Sequence, residues 1–164
     1  MSPSFDPQRI LDVLCSHHVR FVVIGGSAAI LHGAAYVTDD VDVCPATDRK
    51  NLAHLSDALT ELAARIRVEG IPEGIEFSHD GESLGRAVIW NLVTNAGILD
   101  IAIDPAGVNG FVGLAENAIE FDLGEGAVVL VASLDDVIRS KRAANRPKDL
   151  QALPMLEAMR DRLR

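Results

Sequence analysis

A chain of 164 residues, 48% hydrophobic and 24% charged, has the composition of one globular domain and excludes a disordered or fibrous class. Its formal net charge of −9 excludes a surface that grips nucleic acid throughout, so a polyanionic ligand requires a local basic patch. No apolar run approaches the roughly 20 residues of a membrane span, and the opening MSPSFDPQRI lacks the basic and apolar regions of a signal peptide, which together point to a cytoplasmic protein.

Asp6 followed by Pro7 reads as an N-cap and first helical residue, and Ile10, Leu11, Val13, Leu14 and His17 give that helix an apolar side. RFVVIGG reads as a buried strand ending in a glycine turn. Ser27 is placed to cap a short helix through AAILH that Gly33 ends, and VDVC is a second strand. Asp48 opens a long helix with an apolar stripe at Leu52, Leu55, Leu59, Leu62 and Ile66. The glycine-rich EGIPEGIEFSHDGESLGR holds one short strand at 75–77. AVIWNLVT and GILDIAI form a hairpin about NAG. DPAGVNGFVG is a loop and AVVLVA a further strand. Ser133 starts a helix through LDDVIRSKRAANR, and a last helix begins near Pro147, with Pro154 a candidate kink. Cys15 and Cys44 sit in apolar segments without metal-ligand spacing and fit reduced thiols. The expectation is an α/β (α+β) domain over residues 1–164: a mixed sheet flanked by helices, followed by C-terminal helices.

Three features carry chemistry. A strand that turns into a helix through Gly25 and Gly26 presents backbone N–H groups to an anion, typically a phosphate. The Rossmann and Walker glycine patterns are both absent, and a plain tight turn uses the same residues. Asp40 and Asp42, at alternate positions of a strand, share a face. A solvated edge strand carries such a pair freely, but a buried pair needs a cation, and magnesium takes one or two carboxylates together with substrate phosphates. Asp100 interrupts GILDIAI, a strand that is apolar on both faces, where an isolated carboxylate is costly without a metal or donors. Three carboxylates on adjacent strands are able to hold two metal ions roughly 3.5–4 Å apart, as in-line phosphoryl displacement requires.

The tail adds cations. Leu134, Val137, Ile138 and Lys141 are spaced i, i+3, i+4, i+7, so Lys141 lies on the apolar side of its helix, where it either snorkels out or meets a buried anion such as a triphosphate. Arg142, Arg146 and Lys148 extend a basic patch in an acidic chain, with Asp149 a salt-bridge partner or cap; Arg139 and Arg142 fit solvated charges equally well. His32, at the end of the short helix, reads as a structural residue that orients the Asp40 loop. Trp90 and Phe111 read as core, and aromatic residues at 4% give little support to a base-stacking groove. Ser27 lacks the context of a hydrolase nucleophile.

With G-G-S at 25–27, HG at 32–33, TDDVDV at 38–43, Asp100 and the SLDDVIRSKRAANRPKDLQALPML tail, the chain resembles the nucleotidyltransferase superfamily related to DNA polymerase beta. Within it, the chain is most similar to small bacterial proteins akin to AbiEii-type toxins of toxin–antitoxin systems. The resemblance implies that Asp40 and Asp42 hold Mg2+ (or Mn2+) and that Asp100 completes the site and deprotonates an acceptor hydroxyl. It implies that Gly25, Gly26, Ser27, Lys141, Arg146 and Lys148 bind the NTP. The implied reaction moves a nucleoside monophosphate to RNA (a tRNA end included), a protein side chain or a small molecule such as an antibiotic, and implies a cognate antitoxin. One departure stands out: relatives often carry arginine where this chain has Tyr36. That departure, and the lack of an evident acceptor-binding domain, keep a second reading open, a non-catalytic nucleotide-binding or antitoxin-like module.

Overall fold

The computed structural model describes residues 4–163. Helix α1 (Pro7–Ser16) starts as its sequence dictates: the Asp6 carboxylate accepts from the Arg9 N–H, Pro7 opens the first turn, and Ile10, Leu11, Val13 and Leu14 are buried. Strand β1 (Phe21–Val23) follows, buried at every residue, and leads into α2 (Gly25–Leu31). Then come β2 (Asp40–Pro45), α3 (Arg49–Glu61), β3 (Arg65–Val68), β4 (Ile71–Ile75) and α4 (Gly81–Leu84). Strands β5 (Ile89–Thr94) and β6 (Gly97–Ala102) form the expected hairpin, closed by Asn95 and Ala96. Helix α5 (Gly110–Asn117), strands β7 (Ile119–Asp122) and β8 (Val128–Val131), and helices α6 (Leu134–Ala144) and α7 (Pro147–Leu163) complete the chain.

All eight strands join one mixed sheet in the order β4-β3-β5-β6-β2-β1-β8-β7. The β2–β6 and β1–β8 pairs are parallel and the others antiparallel. Strand alternation gives β2 and β6 two unlike faces. Val41, Val43, Leu99 and Ile101 point into the core with at most 2% exposure, while Asp40, Asp42, Ile98, Asp100 and Ala102 are half-buried on the other side. The core face is packed; the other face opens on a cleft.

Four expectations differ from what forms. Helix α3 stops at Glu61 because Leu62 caps it and Ala63 turns left-handed at φ 51°, so Ile66 belongs to β3 and not to the helical stripe. The expected strand at 75–77 is displaced: β3 and β4 pair as a hairpin through Gly70, at φ 82°, and the strand ends at Ile75. Part of the expected loop is α5, and β7, a polar edge strand on β8, was not anticipated. Ser27 does not cap α2, since the helix begins at Gly25 with Ile24 as its extended N-cap residue. Pro154, by contrast, lies inside a continuous α7.

Asn51 does work that no motif signals. It is 2% exposed at the start of α3. Its side-chain oxygen accepts from the Arg20 N–H at 2.7 Å, and its amide donates to the carbonyls of Arg20 at 3.0 Å and Ala46 at 2.7 Å. One side chain thereby ties α3 to the entry of β1 and the exit of β2. Asn51→Ala strands the Arg20 N–H and the Ala46 carbonyl, while the Arg20 carbonyl keeps its bond from the Ala46 N–H, and the expected loss is about 2 kcal/mol. A urea midpoint within experimental error of wild type would show that water replaces the amide without cost.

Candidate functional site

The parallel register of β2 and β6 sets Asp42 directly beside Asp100, and Asp40 follows one pleat away. One carboxylate oxygen from each of the three lies within 4.8 Å of the others. The glycine turn closes over this group. Gly25 has φ +58°, and a Cβ there would stand 2.9 Å from Asp42 Oδ2, so only glycine permits both the turn and the approach. Ser27 fastens helix to strand: its hydroxyl donates to the Asp40 carbonyl and accepts from the Asp42 N–H, each at 3.1 Å. Thr38 Oγ1 donates to Asp40 Oδ1 at 2.7 Å.

Crowding and burial push these acids toward their neutral forms. Asp42 rises to about 7, first through burial and then through the charges of Asp40 and Asp100, against the opposing pull of Lys141 and the Ser27 N–H. Asp100 rises to about 6, again chiefly by burial; Arg67 and Lys148 counter it while Asp40 adds to it. Asp100 Oδ1 is buried without a hydrogen-bond partner, its nearest cation being Arg67 Nη2 at 3.6 Å. Three convergent hard oxygen donors, one of them orphaned, fit a divalent cation of the magnesium type.

A wall of cations faces the carboxylates across an open cleft of about 1090 Å³, with Lys141 from α6, Arg146 from the α6–α7 link and Lys148 from α7. Lys141 is only 14% exposed, and the anion it meets within the protein is Asp149, at 3.7 Å. Asp149 is itself fully buried. It accepts from Arg146 N at 3.2 Å, Nε at 2.7 Å and Nη2 at 3.2 Å. Burial alone would raise Asp149; the Arg146 hydrogen bonds and charge, with Lys141 behind them, hold it below the usual carboxylate range.

The structure thus brings Asp40, Asp42, Asp100, Gly25, Gly26, Lys141, Arg146 and Lys148 to one cleft. Ser27 is not on the cleft wall; its hydroxyl is committed to β2. His32 does not orient the Asp40 loop: its Nε2 bonds the carbonyl of Ala132, the residue after β8, at 2.7 Å. Trp90 packs on Phe77 and donates to the Leu84 carbonyl, as a core residue does. The Tyr36 hydroxyl is buried without a partner beside Gly26. Arg67 and Asn91 also line the cleft. Asn91 was legible as the polar partner of Asp100 across the hairpin; Arg67 had no signal, since its strand was read as the end of a helix.

No family model and no curated protein sequence matches the chain. Solved structures do. The Thermotoga maritima protein TM1012, assigned as a nucleotidyltransferase, is similar with a TM-score of 0.52 at 18% identity, over 95% of this chain and 89% of that one. The antibiotic-resistance factor ANT(2'')-Ia is similar in its solution structure, with a TM-score of 0.52 at 16% identity over 94% and 87% of the two chains. Its crystal complex with adenylyl-2''-tobramycin gives 0.54 at 16% identity over 94% and 95%. The likeness establishes the nucleotidyltransferase-type fold expected from the sequence.

The raised acids have a signed consequence. Asp42 titrates near 3.8 when unfolded and near 7 when folded, so between those values the folded state binds the extra proton. The contribution of Asp42 to stability is therefore fully present at low pH and is lost as pH rises through about 7; Asp100 acts in the same direction. In EDTA, the melting temperature should fall from pH 5 to pH 8, and Asp42→Asn should flatten that slope and melt higher than wild type at pH 8. If instead Asp42→Asn melts lower, the carboxylate is a structural hydrogen-bonding group and the electrostatic account is wrong.

Proposed function

We propose that the protein is a divalent-metal-dependent nucleotidyltransferase that moves a nucleoside monophosphate from an NTP to an acceptor hydroxyl and releases pyrophosphate. The observation that carries this reading is the convergence of Asp40, Asp42 and Asp100 within 4.8 Å on two parallel strands, beside a glycine turn, in this fold. Asp40 and Asp42 hold the cation, Mg2+ or Mn2+, with Asp100 completing the set. The cation supplies charge neutralisation on the phosphate oxygens.

The chain's own groups do the rest. The first N–H groups of α2, at Gly25 and Gly26, have no intrahelical carbonyl to bond and are offered to the phosphates, while the Ser27 N–H bonds the Asp42 carboxylate. Lys141, Arg146 and Lys148 face the same space and offset the negative charge of the triphosphate and the departing pyrophosphate. Asp100, the third carboxylate of the cluster, is the group placed to accept the acceptor hydroxyl proton. ANT(2'')-Ia is an antibiotic-resistance factor whose complex holds an adenylylated small molecule. The sequence resemblance adds RNA ends and protein side chains as acceptors and a cognate antitoxin as a partner, which places the finer proposal among small AbiEii-like proteins acting in the cytoplasm.

Calorimetry of each NTP with Mg2+ and with EDTA tests the reading. One NTP should bind only with the metal, and Asp42→Asn should abolish both that binding and label transfer from the NTP; equal affinity in EDTA would refute metal dependence. Lys141→Met keeps the alkyl stem and removes the charge. It should weaken NTP binding by roughly 1.5–3 kcal/mol, with little change in melting temperature because Arg146 still holds Asp149. Unchanged NTP affinity would leave Lys141 as a structural partner of Asp149 alone.

A further inference from the structure

A polar row crosses the sheet on its cleft face. Asp42 is paired with Asp100 and Asp100 with Asn91, and Arg67, one residue past the last β3–β5 pair of Ile66 with Leu92, reaches to 3.6 Å from Asp100. Directly opposed residues share a face. All four line the cleft. At Arg67 the pairing of β3 with β4 breaks register, the kind of irregularity that re-aims a side chain. The Arg67 side chain is 42% exposed, and its Nη2 stands 3.6 Å from Asp100 Oδ1, beyond hydrogen-bond reach. Its five donors are therefore largely unspent.

The row has a direction. The glycine turn closes on Asp42 and Lys141 acts on it from α6, whereas Lys148 of α7 acts on Asp100. In-line displacement requires the attacking oxygen opposite the leaving pyrophosphate, so the acceptor approaches from the Asp100 side, over Asn91 and Arg67. Val88 and Ile89, exposed at 66% and 53%, form an apolar rim there. Resting on the nucleotidyltransferase reading, we propose that Arg67 and Asn91 form the acceptor subsite, and that the acceptor carries an anionic group, phosphate or carboxylate, near its reactive hydroxyl. Arg67 grips that group in bidentate fashion, and Asn91 orients the hydroxyl toward Asp100. Asp39 and Asp104 line other parts of the cleft, so a cationic acceptor is the competing outcome.

The test uses protein loaded with Mg2+ and the α,β-methylene analogue of whichever NTP binds best, which cannot be cleaved between the α- and β-phosphates. Titration followed by NMR compares glucose, glucose 6-phosphate, glucuronate and tobramycin. At least one anionic sugar should bind about tenfold tighter than glucose, a gain expected for a charge-assisted contact. Arg67→Ala should erase that gain without changing glucose binding, and Arg67→Lys should restore part of it. Phosphate and carboxylate are told apart by which of the two anionic sugars gains. The proposal is overturned if glucose binds as well as both anionic sugars, if no sugar binds, if tobramycin binds tightest, or if Arg67→Ala releases the nucleotide analogue instead. Failure of wild type to bind any analogue with Mg2+ would refute the nucleotidyltransferase reading itself, a different result.

Discussion

The parallel pairing that sets Asp42 against Asp100 is the constraint around which the rest of the molecule is arranged. Two carboxylates in lateral register, with Asp40 one pleat away, are unfavourable in any folded protein. Raising Asp42 from 3.8 to about 7 corresponds to about 4 kcal/mol of strain above neutrality. Set against the roughly 5–15 kcal/mol that holds a domain folded, that is too large to be incidental. The surrounding groups read as a response to it. Lys141 and the Ser27 N–H draw on Asp42, Arg67 and Lys148 draw on Asp100, and Thr38 donates to Asp40. They reduce the repulsion without cancelling it, since both acids remain shifted upward. A site that retains unspent negative potential is one that a cation relieves.

The positive side of the cleft is held by a second buried anion. Asp149 has no solvent exposure, and it fixes Arg146 through three hydrogen bonds and Lys141 through charge. Arg146 supplies all three of those hydrogen bonds, and removing it would leave the anion buried and unmet, a costly loss, so the α6–α7 corner is stiff. Asn145, left-handed at φ 56°, ends α6 and turns the chain into it. Lys141 stands between two carboxylate systems: Asp149 behind it and Asp42 in front. Its charge is thus shared between anchoring a helix pair and facing the cleft.

What the sequence disclosed follows from periodicity. Asp40, Asp42 and Asp100 stood out because a period of two placed acids on a strand face where apolar residues were expected, and Lys141 because a helical period placed it among Leu134, Val137 and Ile138. Those signals survive folding unchanged. Arg67 left none. Ile66 continued the spacing of the α3 stripe, and the residue that ends the helix is Ala63 in a left-handed conformation, where a glycine would have given warning. Strand β7 alternates apolar and polar residues, but the run IEFD is only four residues long and barely buried at the sheet edge, so its signal was weak. Helix α5 was hidden by its glycines at 110 and 113. The Asn51 anchor and the role of His32 depend on backbone carbonyls brought near from distant strands, which no local pattern records.

The two halves of the cleft differ in how firmly they are bound to the core. Ser27 bonds both the Asp40 carbonyl and the Asp42 N–H, so the helix that offers N–H groups and the strand that offers carboxylates move as one body. Any phosphate and any cation they hold keep a fixed spacing, which is what the chemistry of transfer demands. The β3 side is tied outward instead, Arg65 bonding the Gly74 carbonyl and Glu76. Its strands are short, its outer pairing slips at Arg67, and its cleft residues reach solvent. Under the proposed nucleotidyl transfer, precision would lie at the glycine turn and the carboxylates, and latitude on the β3 side, where the proposal puts the acceptor. This division explains how a common fold can keep one phosphoryl chemistry while the surface beyond Asp100 is free to select a different partner.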